Sequence, residues 1–289
     1  MKLDHAHTQH QLHTQNCTLK PDESRYYWGE ISRAFTRDAK HFLWRSHSDN
    51  VNIALLKDWL GTRQFSDILK TDLFDEAVRW GLYPFLQEHA GVVHGIDVAI
   101  ESVETAKTRF PALQASRADV RSLEFSDNHF DLVVSNSTLD HFRSTDEIDT
   151  ALRELFRVLK QGGELFISLD NLQNPIIGLR SLLPFNLLNT LGLVPYFVGK
   201  THGRRGLALA LERAGFRVLE TRAIMHCPRV FAVAVAGVLQ KRASVKTQQS
   251  FLAFLNSFES LAKLPTKYFT GHFVAVRAVK PEQQVDSQP

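Results

Sequence analysis

At 289 residues, 44% hydrophobic and 22% charged, the chain has the make-up of an ordinary globular protein, long enough for one large α/β domain with additions. A net charge of +3, with no run of Lys and Arg interleaved with aromatics, argues against a nucleic-acid groove. Two cysteines, Cys17 and Cys227, lie far apart without metal-ligand spacing and read as reduced thiols.

The opening residues, MKLDHAHTQHQLHTQN, lack the apolar core of a signal peptide, and no stretch reaches the length of a membrane span, so the expected location is the cytoplasm. Residues 1–24 read as a flexible tail in which His5, His7, His10 and His13 are solvated; no metal site is expected. From Tyr26 to Leu60, Ile31, Phe35, Phe42, Val51, Ala54, Leu55 and Trp59 recur at helical spacing. Residues 25–64 are therefore expected to be two or three helices preceding a sheet, with SHSDN (46–50) as a break and a new N-cap.

The middle of the chain alternates. SDILKTD is a strand, Leu73 to Glu88 a helix, GVVHGID a strand, Ile100 to Arg109 a helix, ALQASRAD a short strand and HFDLVVSNS a strand. Ser144 and Glu147 form a capping box for the helix carrying Ile148, Leu152, Leu155 and Leu159, which stops at KQGG before the strand GELFISLDN. This alternation predicts right-handed crossovers and a mostly parallel sheet covered on both faces.

After Asn171 the pattern loosens into a leucine-rich insertion, 172–205, broken by Pro175, Pro184 and Pro195. A helix over Gly206 to Ala214 and the strand FRVLETRAIMH follow. A second insertion, 226–265, includes the stripe Phe251, Phe254, Phe258 and Leu261. The strand YFTGHFVAVRAVK closes a domain running from 65 to 280, and residues 281–289 read as a frayed tail.

In such a sheet, ligands lie at the carboxyl ends of the strands near the switch point. Asp97 closes the second strand, where an acid either accepts from a ribose diol or caps the next helix. Asp119 follows the third strand and either reads the amino edge of adenine or forms an Asx turn. The first turn, DILKTDLFDE, is unusual because it has no glycine before Gly81.

The segments ILKTDLFDE, GIDVAIESVETAK, ADVRSLEFSDNHFDLVVSNSTLDHF and ELFRVLKQGGELFISLDN resemble successive motifs of class I S-adenosylmethionine-dependent methyltransferases, in the broad small-molecule branch. The resemblance covers roughly Phe65 to Lys280 and implies a Rossmann-like, doubly wound, mostly parallel seven-stranded sheet. Its last strand runs antiparallel between the fifth and sixth. The resemblance fails at the first motif, where Lys70 stands in the place of an acid and Asp72 and Phe74 replace the first two glycines.

The cofactor it implies is S-adenosylmethionine, held by Lys70, Thr71, Asp72, Asp97, Val98, Asp119, Val120 and Asn136. Lys70 would meet the methionine carboxylate, or else form a structural pair with Asp67 or Asp72. His141, with Asp140 as second choice, is the expected general base where the acceptor must lose a proton. Tyr27, Asn171, Tyr196, His202, His226 and Arg229 are the expected acceptor contacts, and the preceding helices a lid.

The leucine-rich insertion and the aromatic helices favour a small apolar or aromatic acceptor, methylated at oxygen or another heteroatom. The insertion also suits contact with a membrane surface. No sequence feature sets an oligomeric state. The alternatives are a cofactor-free scaffold of the same fold, motivated by the missing glycines, and an enzyme that uses the cofactor for another reaction.

Overall fold

The computed structural model describes residues 21–37, 42–191, 194 and 196–282; the histidine-rich segment, Cys17 and the tail from 283 lie outside them. Two helices, α1 (Pro21–Arg37) and α2 (Phe42–Leu60), precede β1 (Phe65–Lys70). The short helices α3 (Phe74–Val78) and α4 (Tyr83–Leu86) lead to β2 (Ala90–Asp97), α5 (Ile100–Arg109), β3 (Gln114–Arg117) and β4 (Phe130–Asn136). A 3-10 turn at Leu139–His141 is followed by α6 (Thr145–Val158) and β5 (Leu159–Asp170). The insertion contributes α7 (Pro175–Leu182) and α8 (Phe185–Thr190). Then come α9 (Arg204–Arg213), β6 (Arg217–Ile224), α10 (Arg229–Arg242), α11 (Val245–Ser257), a 3-10 segment at Phe258–Lys263, α12 (Lys267–Thr270) and β7 (Phe273–Val279).

The strands form one seven-stranded sheet in the order β3-β2-β1-β4-β5-β7-β6. The first five are parallel, with Leu69 of β1 opposite His94 of β2 and Val133 of β4. β7 is antiparallel to both neighbours, Val276 facing Ile167 on one side and Thr221 on the other. Near-continuous apolar runs such as Leu132–Val134 and Val274–Val276 are buried because helices cover both faces. One face carries Leu55, Leu56, Trp59, Ala232 and Phe251 of α2, α10 and α11; the other carries Ile148, Leu152, Leu155, Leu207 and Leu211 of α6 and α9.

Several expectations need correcting. The SHSDN segment does not break α2: Ser46 Oγ donates to the Phe42 carbonyl and Asn52 Nδ2 to that of Ser48, so these side chains bond back along the helix instead of capping a new one. His47 is fully buried there, its Nδ1 2.8 Å from Asn256 Oδ1 and its Nε2 3.3 Å from Cys227 Sγ, which ties α2 to α11. Burial pushes that thiol up to about 12, so it stays protonated. The amino-terminal tail was expected to reach residue 24, but α1 starts at Pro21.

The helix expected over Leu73 to Glu88 is two, separated at Gly81, whose φ is +58°. A Cβ at Gly81 would collide with the Glu76 carboxylate, around which this turn is wrapped: Glu76 Oε1 accepts from Leu82 N at 2.8 Å and Tyr83 N at 3.2 Å. Gly81→Ala should therefore cost about 1–3 kcal/mol in a urea unfolding series; an unchanged midpoint would refute this account. The capping box is present, with Glu147 N donating to Ser144 Oγ, but α6 ends at Val158 and β5 already includes KQGG. Phe254 of the expected stripe is exposed, and helix α10 was not anticipated.

Candidate cofactor and acceptor site

The crossover from β3 to β4 places the switch point between β1 and β4, and there the carboxyl ends of β1, β2 and β4 open into a cleft of about 620 Å³. Thr71, Asp72, Asp97, Val98, Asp119, Val120 and Asn136 all line it. Lys70 does not. Its side chain is 1% exposed, and Nζ lies 2.9 Å from Glu76 Oε2 while also donating to the Asp72 carbonyl. Burial opposes its charge, but Glu76 first and Asp72 next outweigh it and keep the ammonium protonated. The partner is thus Glu76 of α3, and neither Asp67 nor Asp72 by its carboxylate.

This pair explains a first turn without glycine. Lys70 ties the end of β1 to α3, Phe74 N donates to Asp72 Oδ1 at 2.8 Å, and Leu73 N donates across to Asp97 Oδ2 at 3.2 Å. The turn is held by side chains where glycines would otherwise allow a tight backbone path.

Asp97 accepts a second bond, from Ala99 N at 2.8 Å, and the helix cap itself is Ala99. Burial, then the charge of Asp72, pushes its carboxyl up to about 7. The Asp72 carboxyl is likewise raised by burial. Asp119 is gripped by its neighbour: Arg121 Nε lies 3.0 Å from Oδ1 and Nη2 2.6 Å from Oδ2, so its acceptor capacity is largely used within the chain. Arg121 also reaches Glu147. Asn136 Oδ1 is buried without a hydrogen-bond partner.

Aromatic side chains build the opposite wall. The Trp28 ring of α1 stands 4.8 Å from His141 and 6.0 Å from Tyr196, and Phe35 packs at 5.4 Å on Phe74. Tyr27 accepts from Phe197 N at 2.8 Å, and burial pushes its phenol up to about 12. His141 Nδ1 lies 3.0 Å from the Phe197 carbonyl; a carbonyl only accepts, so Nδ1 is the donor, and in the neutral ring Nε2 keeps the lone pair. Gly199 makes this contact possible. Its N–H donates to the Asp140 carbonyl at 2.7 Å, and any Cβ would strike the backbone of Phe142.

Asp140 is 1% exposed and does not face the cleft. Its Oδ2 accepts from Ser137 Oγ and Asp170 N, and Oδ1 sits 4.0 Å from His141 Nε2. Of the expected acceptor contacts, Tyr27, Tyr196 and Arg229 line the cleft; Asn171, His202 and His226 do not. Asn171 Nδ2 holds the Tyr268 and Gly271 carbonyls, and His226 bonds Thr270 Oγ1 and the Ala223 carbonyl. Arg229 Nη1 is 2.6 Å from His272 Nε2.

Sequence reasoning missed Phe74, Asp75, Arg121, Phe142 and Phe273 as lining residues. Asp75 was legible as an acid in the glycine-poor turn, whereas Phe273 reaches the cleft only because the late strand inserts beside β5. Among the described residues, Asp67, His94 and His129 bring ligand-type atoms within 4.8 Å of one another, away from the cleft. They come from three separate segments, which no spacing rule joins.

The sheet order, the antiparallel β7 and the switch-point cleft define a class I, Rossmann-like methyltransferase fold. Residues 81–167 match the family described as a methyltransferase domain. It is 39% identical over 83 residues to a 2-phytyl-1,4-naphtoquinone methyltransferase of Nostoc punctiforme, covering 27% of this chain and 35% of that one. It is 37% identical over 81 residues to the ubiquinone/menaquinone biosynthesis C-methyltransferase UbiE of Neisseria meningitidis, covering 28% and 32%. The match thus spans about a third of the length of these relatives. A SAM-dependent methyltransferase of Thermotoga maritima superposes with a TM-score of 0.57 at 14% identity, over 89% of this chain and 99% of that one.

Proposed function

We propose that the protein binds S-adenosylmethionine at the carboxyl ends of β1 and β2 and methylates a small, apolar or aromatic acceptor. The observation that carries this reading is the cleft itself. Two carboxylates of raised pKa, Asp72 and Asp97, and the unpaired Asn136 Oδ1 converge where a cationic, hydroxyl-bearing ligand satisfies all three. The cofactor supplies an electrophilic methyl on a sulfonium. Asp97 would accept from the ribose diol, Asp72 would pair the ammonium, and Asn136 Oδ1 would accept a remaining N–H. Lys70, paired with Glu76, would shape the turn without touching the ligand.

The chain's own part in methyl transfer is to position the acceptor and exclude water. Trp28, Tyr196, Phe142 and Phe197 provide an apolar wall beside His141. With Nδ1 donating to the Phe197 carbonyl, the neutral His141 ring presents Nε2 to take a proton from a hydroxyl acceptor. The named activities of the two relatives suit a lipophilic ring as acceptor, and UbiE extends the choice of acceptor atom to carbon.

Calorimetric titration with S-adenosylmethionine and S-adenosylhomocysteine tests the binding half, with saturable 1:1 heat expected for both. A folded protein that binds neither would leave a scaffold role. For the base, His141→Ala should lower kcat by roughly 10²–10⁴ with a hydroxyl acceptor while leaving cofactor affinity within about twofold. Full turnover in that variant would remove His141 from catalysis.

A further inference from the structure

From Asn171 to Leu211 the sequence contains no Asp or Glu, while Lys200, Arg204 and Arg205 supply cations besides Arg180, whose charge is spent on Asp170. Within this stretch the apolar face of the insertion points outward. Ile176 and Leu179 are each 62% exposed, Leu182 82%, Leu187 47% and Leu191 62%. The helices are nevertheless anchored. Ile177 and Leu188 are buried beneath them, Asn174 caps α7 by accepting from Ile176 N at 3.0 Å, and Arg180 Nη2 lies 2.8 Å from Asp170 Oδ2.

A monomer rarely leaves so contiguous an apolar face in water unless it meets a partner. The charge beside it indicates which kind. Leu172 N donates to the His202 carbonyl and Arg204 N to Gln173 Oε1, so the basic segment 200–205 lies against the root of the insertion, with Lys200 and Arg205 exposed. Outward leucines flanked by cations, without an acid over forty residues of sequence, match an anionic bilayer surface. The same insertion also reaches the cleft, whose wall includes Pro184 and Phe185 from the α7–α8 junction.

We propose that α7 and α8 dock the protein on an anionic membrane surface, so that the cleft receives a lipophilic acceptor from the bilayer edge. The delivery half rests on the methyl-transfer reading; the docking half does not. The test is co-flotation of the full chain with vesicles of pure phosphatidylcholine and of phosphatidylcholine with 30 mol% phosphatidylglycerol, so that failure of docking is read separately from failure to bind the cofactor.

Binding to the anionic vesicles is expected, weakened by salt and reduced roughly tenfold or more in Leu179→Glu/Leu182→Glu. Lys200→Gln/Arg205→Gln should weaken it without touching the apolar face, which keeps the test valid if the leucine variant misfolds. Val238→Glu, at an exposed apolar position on α10, should bind like the wild type. Absence of binding to both vesicle types overturns the proposal, as does undiminished binding by the leucine variant or equal loss in the Val238 control. A concentration-dependent dimer abolished by the leucine substitutions would assign this face to a second copy and equally overturn it.

Discussion

Lys70→Met should destabilise the protein by about 3–5 kcal/mol, because it strands the Glu76 carboxylate in a site that is 0% exposed. The ammonium it removes also holds the Asp72 carbonyl, so the β1–α3 turn loses its anchor at the same step. Glu76 keeps its bonds from Leu82 and Tyr83, but these are too few to stabilise a buried charge without its counter-ion. Lys70→Met/Glu76→Gln should recover most of the loss, since the amide oxygen still accepts from both N–H groups and no charge remains buried. The measurement is the urea midpoint of the two single variants and the double variant at constant m. A single-variant loss below about 1 kcal/mol would show that Lys70 can be spared, and the account of the glycine-free turn would fall with it.

The second large effect is on ligand affinity. Asp97→Ala removes an acceptor that is prepared for donors from the cleft, and a hydrogen bond to a charged group of this kind contributes about 1.5–3 kcal/mol, so S-adenosylhomocysteine should bind roughly 10- to 100-fold more weakly. Its pH dependence provides a separate check. Burial and the Asp72 charge raise the Asp97 carboxyl to about 7, so the free folded protein holds a proton that the unfolded chain has lost between its ordinary range and that value. Through that window stability falls as pH rises. Ligand hydroxyls favour the carboxylate, so affinity moves the other way: it should be flat above about pH 8 and decline by up to about tenfold per unit below 7. Asp97→Asn should flatten the slope. Unchanged affinity in Asp97→Ala would remove the ribose assignment, and a pH slope surviving in Asp97→Asn would pass the titration to Asp72.

Gly199→Ala offers a local contrast. The added methyl would meet the Phe142 backbone, displacing the segment that holds His141 through the Phe197 carbonyl. Turnover should therefore drop by roughly tenfold or more with little change in cofactor affinity, because the Asp97 side of the cleft is built on other strands. Steady-state kinetics beside calorimetry distinguishes this from a global loss of fold.

The parallel strands and the end of the sheet where the cleft opens were legible because buried parallel strands write continuous apolar runs, and because alternation with helices admits few topologies; the place of the antiparallel last strand was implied by the family resemblance alone. The run FDLVVSN, the Ser144–Glu147 capping box and the late strand FVAVRAV each state their role locally. That Asp97 and Asn136 line the cleft was legible for a similar reason: a residue ending a parallel strand lies at the carboxyl edge of the sheet whatever its neighbours do.

Pairing and direction were not legible, because they depend on segments that sequence does not bring together. The sequence of DILKTDLFDE shows a lysine and four acids, and only the three-dimensional path of α3 selects Glu76 as the buried partner. Asn171, His202 and His226 carry the right chemistry in the right segments, yet Asn171 is spent on the Tyr268 and Gly271 carbonyls and His226 on Thr270 Oγ1 and the Ala223 carbonyl. Arg121, two residues beyond Asp119, occupies the acid that was assigned to adenine. Strand alternation determined the parallel part of the sheet and the edge where the cleft opens; where the helices break and which side chains face that edge were decided by tertiary packing, since burial of a charge compels it to find a counter-ion wherever the fold provides one.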